Sequence, residues 1–283
     1  MSALPGSVVR AVARLFVYLG VTVPLMPVQA LFLAIDSRFA KRLPKAYHAL
    51  CCRLLGIHID VRGEVSDARP TLFVSNHLSY LDIPVLSAAV ETSFIAKREV
   101  ASWPLFGWLA KLQRTVFVDR RAAGVHNERD DVARHLARGH NLVLFAEGTS
   151  SDGTRLKPFK SALLSVAQQE IDGRSVVVQP VTIAYTHLDY MPLGRAWRPF
   201  VAWYGDMDML PHGWHLLGLG RLTATLQFHA PVSFAAFGSR KALAEHCERV
   251  VAHGLAAANG GRELLPATLP APSAGAAVAP ASP

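Results

Sequence analysis

Residues 75–82 read "SNHLSYLD" and follow directly on the apolar run "LFV" at residues 72–74. The apolar run predicts a buried strand, and the polar residues after it mark the strand's carboxyl end. A histidine can take a proton near neutral pH, and a carboxylate bonded to its other ring nitrogen fixes its tautomer. The spacing therefore predicts His77 as a general base oriented by Asp82, which would also bond the backbone where the next helix begins. For such a pair taken alone, a capping aspartate beside an incidental histidine is the alternative.

Alternating strand and helix patterns fill the middle of the chain. Short β-branched or aromatic segments predict strands at residues 57–62, 71–75, 93–96, 115–118, 142–145, 176–185, 199–204 and 222–229. Helices are predicted at residues 125–138, 160–170 and 241–253. This alternation predicts an α/β fold with a largely parallel mixed sheet flanked by helices, whose ligands bind beyond the carboxyl ends of the strands.

The N-terminal region combines an apolar segment with a basic surplus. Residues 15–35 are 21 consecutive residues without a formal charge, about the length of a transmembrane helix. Pro24 and Pro27 lie in its middle and predict two half-length helices joined by a bend. Eight Lys and Arg residues against two Asp residues give residues 1–62 a charge of +6, most of the chain's +8. We expect residues 1–54 to form a monotopic or re-entrant helical hairpin bound to anionic headgroups; a buried core hairpin and a signal peptide are the alternatives.

Composition bounds the rest of the chain. The 283 residues are 51% hydrophobic, enough for a sizeable core, and residues 55–262 are assigned to one α/β catalytic domain. Residues 263–283, rich in Pro and Ala, are expected to be a disordered tail. No Cys or His spacing is typical of a metal site, and three cysteines with an adjacent pair favour a reducing location. Nucleic-acid binding is disfavoured because the basic residues flank the apolar N-terminal segment and do not form a stripe with stacking aromatic residues.

Three later segments accompany the His77 and Asp82 pair. The sequence "RTVFVDRR" at residues 114–121 is a strand ending in charge, and "VQPVTIAY" at residues 178–185 is a further strand. Between them, "FAEGTSSDGTRLKPFKSALL" at residues 145–164 places an acid and a glycine at a strand end, followed by hydroxyls, a tight turn and cations. Such groups suit an anionic ligand, although on its own the segment is equally well explained as an ordinary loop.

Together the four segments resemble the glycerolipid acyltransferase family, in its lysophosphatidate branch. The family has four ordered blocks: N-H-x4-D, a strand ending in an acid–arginine pair, F-P-E-G-T-R, and a strand with proline between apolar residues. The resemblance covers residues 55–225, with the blocks at residues 76–82, 117–120, 145–150 and 179–181. Ala146 replaces the usual proline, and Ser150 stands where the usual arginine would contact phosphate. The segments "SNHLSYLDIPVL", "KLQRTVFVDRR" and "EGTSSDGTRLKPFKSALL" especially resemble those of bacterial lyso-ornithine lipid acyltransferases. The acceptor of these enzymes has no phosphate, which agrees with the loss of the arginine.

The resemblance implies a membrane-bound O-acyltransferase that moves a fatty acyl group from an acyl thioester to the free hydroxyl of a lyso lipid. His77 would be the general base and Asp82 its orienting partner. No cofactor is implied, since acyl carrier protein or coenzyme A delivers the thioester as co-substrate. A covalent acyl-enzyme is not expected because the chain has no G-x-S-x-G motif. The implied substrate-binding residues are Asn76, Ser79, Lys97, Arg120, Glu147, Gly148, Thr149 and Arg155.

The acceptor and the place of action follow from the same resemblance. Lyso-ornithine lipid is the favoured acceptor, and 1-acyl-sn-glycerol-3-phosphate is the alternative, because Arg155 is available for a phosphate contact. A lipid hydrolase and a non-catalytic membrane-surface protein are lower-ranking alternatives. Membrane lipids are the expected partners, at the cytoplasmic face of the inner membrane. The apolar residues 103–112 are interpreted either as helix core or as a passage for acyl chains.

Overall fold

The computed structural model describes residues 6–118, 125–168, 170–171 and 173–262. Within these ranges the α-helices are α1 (Val8–Ala34), α2 (Phe39–Leu55), α3 (Asp82–Ala89), α4 (Phe106–Leu112), α5 (Val125–Ala137), α6 (Met209–Gly218) and α7 (Arg240–Asn259). The strands are β1 (Ile57–Arg62), β2 (Thr71–Ser75), β3 (Ser93–Lys97), β4 (Val116–Val118), β5 (Leu142–Phe145), β6 (Glu170–Ile171), β7 (Arg174–Ser175), β8 (Val177–Leu188), β9 (Met191–Pro192), β10 (Leu222–Phe228) and β11 (Val232–Ser233). Short 3-10 helices occur at Arg98–Ser102, Leu163–Gln168, Arg195–Phe200 and Phe234–Ala236.

Nine of the described strands form one mixed sheet. Its order is β1-β10-β8-β2-β5-β3-β4, with β9 and β11 paired to β8. The five strands from β8 to β4 are parallel to one another, whereas β10 runs antiparallel to β8. The register places Ser75 at the end of β2 beside Phe145 at the end of β5 and Val181 in β8. The loops that follow β2 and β5 therefore meet at one edge of the sheet.

Helices cover both faces of this sheet. All five residues of β2 are buried, which is the pattern of a central parallel strand packed on both sides. Phe73 belongs to a core cluster shared with α2, α3 and α6, whereas Leu72 and Val74 belong to a cluster shared with α5 and α7. This division follows from the two-residue period of a strand. The layered arrangement confirms the α/β fold predicted from the sequence.

The N-terminal hairpin turns at a different place from the one predicted. Helix α1 continues through Pro24 and Pro27, so the predicted bend is wrong, and the turn lies at residues 35–38. Thr22 and Gln29, one on each side of the prolines, make hydrogen bonds to α2. A proline removes one helical bond, and contacts with a neighbouring helix compensate for this loss. The packing of α1 on α2 therefore keeps α1 helical despite the two prolines.

The exposed surface of α1 is mostly apolar. The buried residues of this helix are Ala11, Thr22 and Gln29, two of them polar, whereas Phe16 is 73% exposed and Val9 is 79% exposed. A soluble amphipathic helix has the opposite arrangement. By length and composition α1 is able to cross a membrane, with a mean hydropathy of 1.8 in its most apolar window. Such a surface fits contact with lipid.

Two local predictions are wrong, and one lies outside the described residues. The sequence predicts a strand at residues 199–204, but the 3-10 helix Arg195–Phe200 extends into this segment. Arg198 in that helix is buried and donates to the Gly153 carbonyl oxygen at 3.0 Å. Residues 160–170 form a 3-10 helix, Leu163–Gln168, instead of an α-helix. The predicted tail at residues 263–283 is not among the residues that the structure describes.

Candidate active site

His77 and Asp82 form a hydrogen-bonded pair at the carboxyl end of β2. His77 Nδ1 lies 2.7 Å from Asp82 Oδ2, so the bond that the spacing predicts is present. The Asp82 side chain is fully buried, whereas 21% of the His77 side chain is exposed. Because an ionised carboxylate only accepts hydrogen bonds, Nδ1 carries the proton and Nε2 is the basic nitrogen. The ring is therefore in the tautomer that a general base requires.

Four donors converge on the Asp82 carboxylate. Besides His77, Oδ2 accepts hydrogen bonds from the amides of Leu78 at 2.7 Å and Ser79 at 3.0 Å. These amides belong to the turn between β2 and α3. The sequence predicted instead that Asp82 would bond the backbone in the first turn of the helix. Oδ1 accepts a hydrogen bond from the Tyr185 hydroxyl at 2.8 Å. Burial, and then the Asp82 charge, raise the pKa of Tyr185, which therefore remains a hydrogen-bond donor.

The face of the His77 ring is held by an aromatic side chain. The ring stacks on Phe145 with a centroid distance of 4.0 Å and an interplanar angle of 15°. Phe94 stacks on Phe145 in turn, at 6.1 Å and 18°. Phe145 is the last residue of β5 and is in register with Ser75 on β2. The stack and the bond to Asp82 together restrict the imidazole to one orientation.

Glu147 is buried and joins two loops of the site. Its Oε1 accepts a hydrogen bond from the His77 amide at 2.7 Å, and its Oε2 accepts one from the Lys157 amide at 3.0 Å. Burial raises the pKa of Glu147, and the two amides oppose that rise. Both carboxylate oxygens are thus engaged within the protein. The sequence assigned Glu147 to substrate binding, whereas the structure gives it contacts that position the His77 backbone.

The loop after β5 packs against the loop that carries His77. The Ser151 amide donates to the His77 carbonyl oxygen at 2.9 Å. Gly153 has a φ of +68°, and a Cβ at this position would lie 2.2 Å from Leu78 Cδ2. Only glycine therefore fits this close approach. The tight turn predicted within residues 145–164, which the structure places at Gly153, thus packs directly against the N-H-x4-D segment.

Known proteins share this combination of fold and sequence. A family model described as "Acyltransferase" matches residues 58–184. The chain is 45% identical over 245 residues to the lyso-ornithine lipid O-acyltransferase of Brucella abortus (strain 2308), covering 85% of this chain and 91% of that protein. The chain belongs to the acyltransferase family. It is an enzyme that transfers acyl groups.

Further acyltransferases are similar at lower identity. The lyso-ornithine lipid O-acyltransferase of Rhizobium meliloti (strain 1021) is 41% identical over 78% of this chain and 77% of that protein. The 1-acyl-sn-glycerol-3-phosphate acyltransferase of Neisseria gonorrhoeae is 32% identical over 68% of this chain and 74% of that protein. The crystal structure of the 1-acyl-sn-glycerophosphate acyltransferase of Thermotoga maritima matches with a TM-score of 0.57 and 23% identity, over 76% of this chain and 78% of that one. This last likeness confirms the fold.

Besides Glu147, two more of the predicted substrate-binding residues of this acyltransferase are buried in its framework. The Asn76 side chain donates to the Ile183 carbonyl oxygen and accepts from the Ile183 amide, both at 2.9 Å. These bonds tie the end of β2 to β8. Ser79 is fully buried in the turn after β2, where its amide bonds to Asp82. The structure therefore places both residues where they position the His77 loop.

The other predicted residues lie at the edge of the sheet that carries His77, except one that is not described. Lys97 is exposed and ends β3. Thr149 and Arg155 are also exposed, and Gly148 before them is buried with a φ of +70°. Arg120 lies outside the described residues. The edge thus brings together one basic histidine and several exposed hydrogen-bonding groups.

Tyr185 is a site residue that the sequence did not single out. It ends the segment "VQPVTIAY", in which the family pattern concerns the proline and not the tyrosine. Its hydroxyl reaches Asp82 only because β8 is parallel to β2, with Val181 beside Ser75. The available signal was its position as the last residue of the strand predicted at residues 176–185.

Proposed function

We propose that this acyltransferase transfers a fatty acyl group from an acyl thioester to the free hydroxyl of lyso-ornithine lipid. The observation that carries the proposal is the 2.7 Å bond from His77 Nδ1 to Asp82 Oδ2 at the sheet edge, which leaves Nε2 as a base. The relatives that are 45% and 41% identical bear this activity in their names, which supports the acceptor.

The His77 imidazole drives the transfer by moving one proton. Nε2 takes the proton of the acceptor hydroxyl as its oxygen attacks the thioester carbonyl carbon, and Asp82 stabilises the imidazolium. The tetrahedral intermediate then collapses, the C–S bond breaks, and the thiolate leaves with the proton from His77. A C–O bond replaces the C–S bond, so no nucleophile from the protein is needed.

The negative charge on the thioester oxygen requires hydrogen-bond donors. We assign this role to Lys97 and to the backbone amide of Thr149, because Lys97 ends β3, Thr149 lies in the loop after β5, and both strands end at the same edge as β2. Donors aimed at the developing oxyanion are worth roughly 10²–10³ in rate. Their exposure fits a site that substrate covers when it binds.

The loop after Ser150 recognises the acceptor headgroup. Ornithine carries an ammonium and a carboxylate but no phosphate, so it needs one acid and one base instead of a phosphate-binding arginine. Burial alone would raise the pKa of Asp152, but hydrogen bonds from Thr154 and the nearby arginines lower it, so the side chain is an anion at neutral pH. We assign the ammonium to Asp152 and the carboxylate to Arg155.

The apolar surface of α1 fits an anchor in the membrane that contains the acceptor. Only 11% of its most apolar window is buried. Helix α4 lies beside α1, since Gln29 Nε2 donates to the Leu112 carbonyl oxygen at 3.0 Å, and Trp108 on α4 is 63% exposed. We assign the two surfaces to monotopic contact with the cytoplasmic face of the membrane. Acyl carrier protein or coenzyme A then delivers the thioester from the cytosol.

The alternative acceptor is weaker. Transfer to 1-acyl-sn-glycerol-3-phosphate is the activity named for the Neisseria gonorrhoeae relative, which is 32% identical. Phosphate recognition at the third motif would rest on Arg155, since Ser150 cannot supply a charge. Family membership also favours transfer over a hydrolase or a non-catalytic protein.

An acceptor assay tests the proposed function. Full-length protein in detergent is given a labelled acyl thioester of acyl carrier protein or coenzyme A, with either lyso-ornithine lipid or lysophosphatidate. We expect lyso-ornithine lipid to be consumed and the acylated product to carry the label, as read by mass spectrometry. Consumption of lysophosphatidate alone would contradict the acceptor. Release of free fatty acid without acylated lipid would contradict acyl transfer.

A further inference from the structure

A basic pocket lies at the amino-terminal ends of the strands, opposite the carboxyl ends where His77 is placed. It has a volume of about 210 Å³, and the residues that matter in its lining are Lys41, Arg69, Glu91, Arg114, His140 and Asn141. Its floor is formed where β2, β3 and β5 begin. Nothing in the acyl-transfer mechanism uses these residues.

The pocket has an excess of positive charge. Lys41, Arg69 and Arg114 face a single lining carboxylate, Glu91. Burial, and then the charges of Arg114, Lys41 and Arg138, lower the pKa of His140 to about 4. Burial and the surrounding cations together thus keep the imidazole neutral.

The pKa of a second histidine, His135, is lowered for the same reasons. Burial, and then His140 and the surrounding cations, lower the pKa of His135 to about 3. The two rings lie 4.7 Å apart. Asp36, in the turn between α1 and α2, is a further acid that acts on Arg114. Two acids therefore face three lining cations and a pair of neutral histidines.

Buried donors in this pocket lack partners among the described residues. Arg114 Nη1 lies 3.3 Å from His140 Nε2. Because a guanidinium can only donate, Nε2 is the acceptor, and His140 Nδ1 must carry the ring proton. Both Arg114 Nε and His140 Nδ1 are buried without a hydrogen-bond partner in the parts of the chain that are described. Unpaired buried donors are costly, so a side-chain rotation that turns either donor toward a bound anion is favourable.

The frame of the pocket is fixed by hydrogen bonds. Asn141 Oδ1 accepts from the Thr71 amide at 2.9 Å, and Asn141 Nδ2 donates to the Glu91 carbonyl oxygen at 3.1 Å. Arg114 has a φ of +59°, a conformation that non-glycine residues adopt at a cost in energy. The backbone at Asn141, directly after His140, is therefore anchored to β2 and to Glu91 before any ligand arrives.

We propose that this pocket binds a phosphate-type oxyanion through Lys41, Arg69, Arg114 and His140. The volume is below the roughly 300–1,000 Å³ of drug-sized ligand sites, and suits a phosphate group rather than a whole lipid. The phosphate belongs either to a lipid headgroup, since Lys41 is on α2 beside the apolar α1, or to a soluble phosphate compound. In both cases the site is separate from the acyl-transfer edge and goes beyond the proposed function.

Titration with inorganic phosphate tests the site. Full-length protein with isotopically labelled histidine side chains is observed by NMR in neutral detergent. We expect saturable shifts of the His140 and His135 signals and a rise in the pKa of both, because a bound anion favours the imidazolium. The signal of His229, which lies outside the pocket, should not move. Absence of any saturable shift at His140 overturns the proposal.

Matched charge variants show whether binding is local. The double variant Lys41→Gln, Arg69→Gln removes two exposed lining cations, and we expect it to raise the apparent Kd for phosphate about tenfold or more. The control Arg240→Gln, Lys241→Gln removes two exposed cations from the start of α7, and should change the Kd less than about twofold. Equal effects of the two double variants overturn the proposal.

Nanodiscs distinguish the two sources of phosphate. Protein in phosphatidylcholine nanodiscs is compared with protein in nanodiscs that also contain phosphatidylglycerol. A His140 shift with phosphatidylglycerol that is lost in Lys41→Gln, Arg69→Gln identifies a lipid headgroup. A shift with inorganic phosphate but not with phosphatidylglycerol identifies a soluble phosphate ligand. No effect of either probe contradicts the site.

Discussion

The Tyr185 hydroxyl donates a hydrogen bond to Asp82 Oδ1 at 2.8 Å, while His77 Nδ1 donates to Asp82 Oδ2 at 2.7 Å. The two carboxylate oxygens therefore have different tasks. One holds the base, and the other fastens the carboxylate to β8. Tyr185 thus acts on His77 through Asp82 and is a positioning residue.

Replacing Tyr185 tests this positioning role. Tyr185→Phe keeps the ring in the core but removes the hydroxyl, so Asp82 Oδ1 loses its donor. Loss of one buried hydrogen bond to a charged group costs roughly 1.5–3 kcal/mol. If part of this loss appears in the transition state, kcat falls roughly 3-fold to 100-fold. KM should change little, because the hydroxyl does not face substrate. Steady-state kinetics that show an unchanged kcat would refute the role.

Asp82 itself is expected to be far more sensitive. Asp82→Asn keeps the shape of the side chain but replaces one acceptor oxygen with a donor, so it cannot serve His77, Leu78 and Ser79 together. A wrong histidine tautomer in a comparable arrangement costs about 10⁴ in kcat, and we expect roughly 10²–10⁴ here. The exposed residue Asp206 supplies the control, as Asp206→Asn. Similar kcat values for the two variants would contradict the assignment of Asp82.

The sequence predicted the parts of the site that are local in the chain. His77 and Asp82 are five residues apart, so one strand end and one short loop bring them together. Tyr185 is 103 residues from Asp82 and reaches it through the pairing of β2 with β8. Strand order is set by tertiary packing and is not visible in a pattern of apolar residues.

The wrong predictions have the same origin. Pro24 and Pro27 predict a bend, but hydrogen bonds from Thr22 and Gln29 to α2 hold α1 as one helix. Residues 199–204 read as a strand, but the buried Arg198 draws this segment onto the Gly153 loop. The buried roles of Asn76 and Glu147 depend likewise on distant backbone groups. Local propensity is a weak guide wherever such contacts decide the conformation.

Asp152 is expected to set the preference among acceptors. Asp152→Asn removes the charge that we assign to the ornithine ammonium, so the KM for lyso-ornithine lipid should rise roughly 10-fold to 100-fold, the effect of losing a charge-assisted hydrogen bond. The kcat should stay within about threefold, because His77 is not affected. Lysophosphatidate has no ammonium and serves as the internal control. An equal loss with both acceptors would show that Asp152 only supports the loop.

The partly buried His229 predicts loss of stability in acid. Its Nε2 lies 2.8 Å from Thr182 Oγ1, and burial, with smaller effects of His253 and His246, lowers its pKa from 6.5 to about 4. Between these values the unfolded state binds more protons than the folded state. The stabilising contribution is therefore complete above pH 6.5 and is lost as the pH falls to about 4. The total is up to about 3 kcal/mol.

Thermal unfolding as a function of pH checks this contribution. The Tm of the unmodified protein should fall more steeply between about pH 7.5 and about pH 5 than the Tm of His229→Gln, which has no proton to gain. The variant is expected to be less stable at the higher pH, and the difference should narrow in acid. Parallel pH profiles would show that His229 does not contribute.

The most direct test of the account is the rate of acyl transfer to lyso-ornithine lipid by His77→Ala. The exposed His58 on β1 supplies the control variant, as His58→Ala. With both proteins equally folded by circular dichroism, we predict that His77→Ala is slower by roughly 10²–10⁴ and that His58→Ala keeps the normal rate. An unchanged rate of acylation by folded His77→Ala would contradict the account.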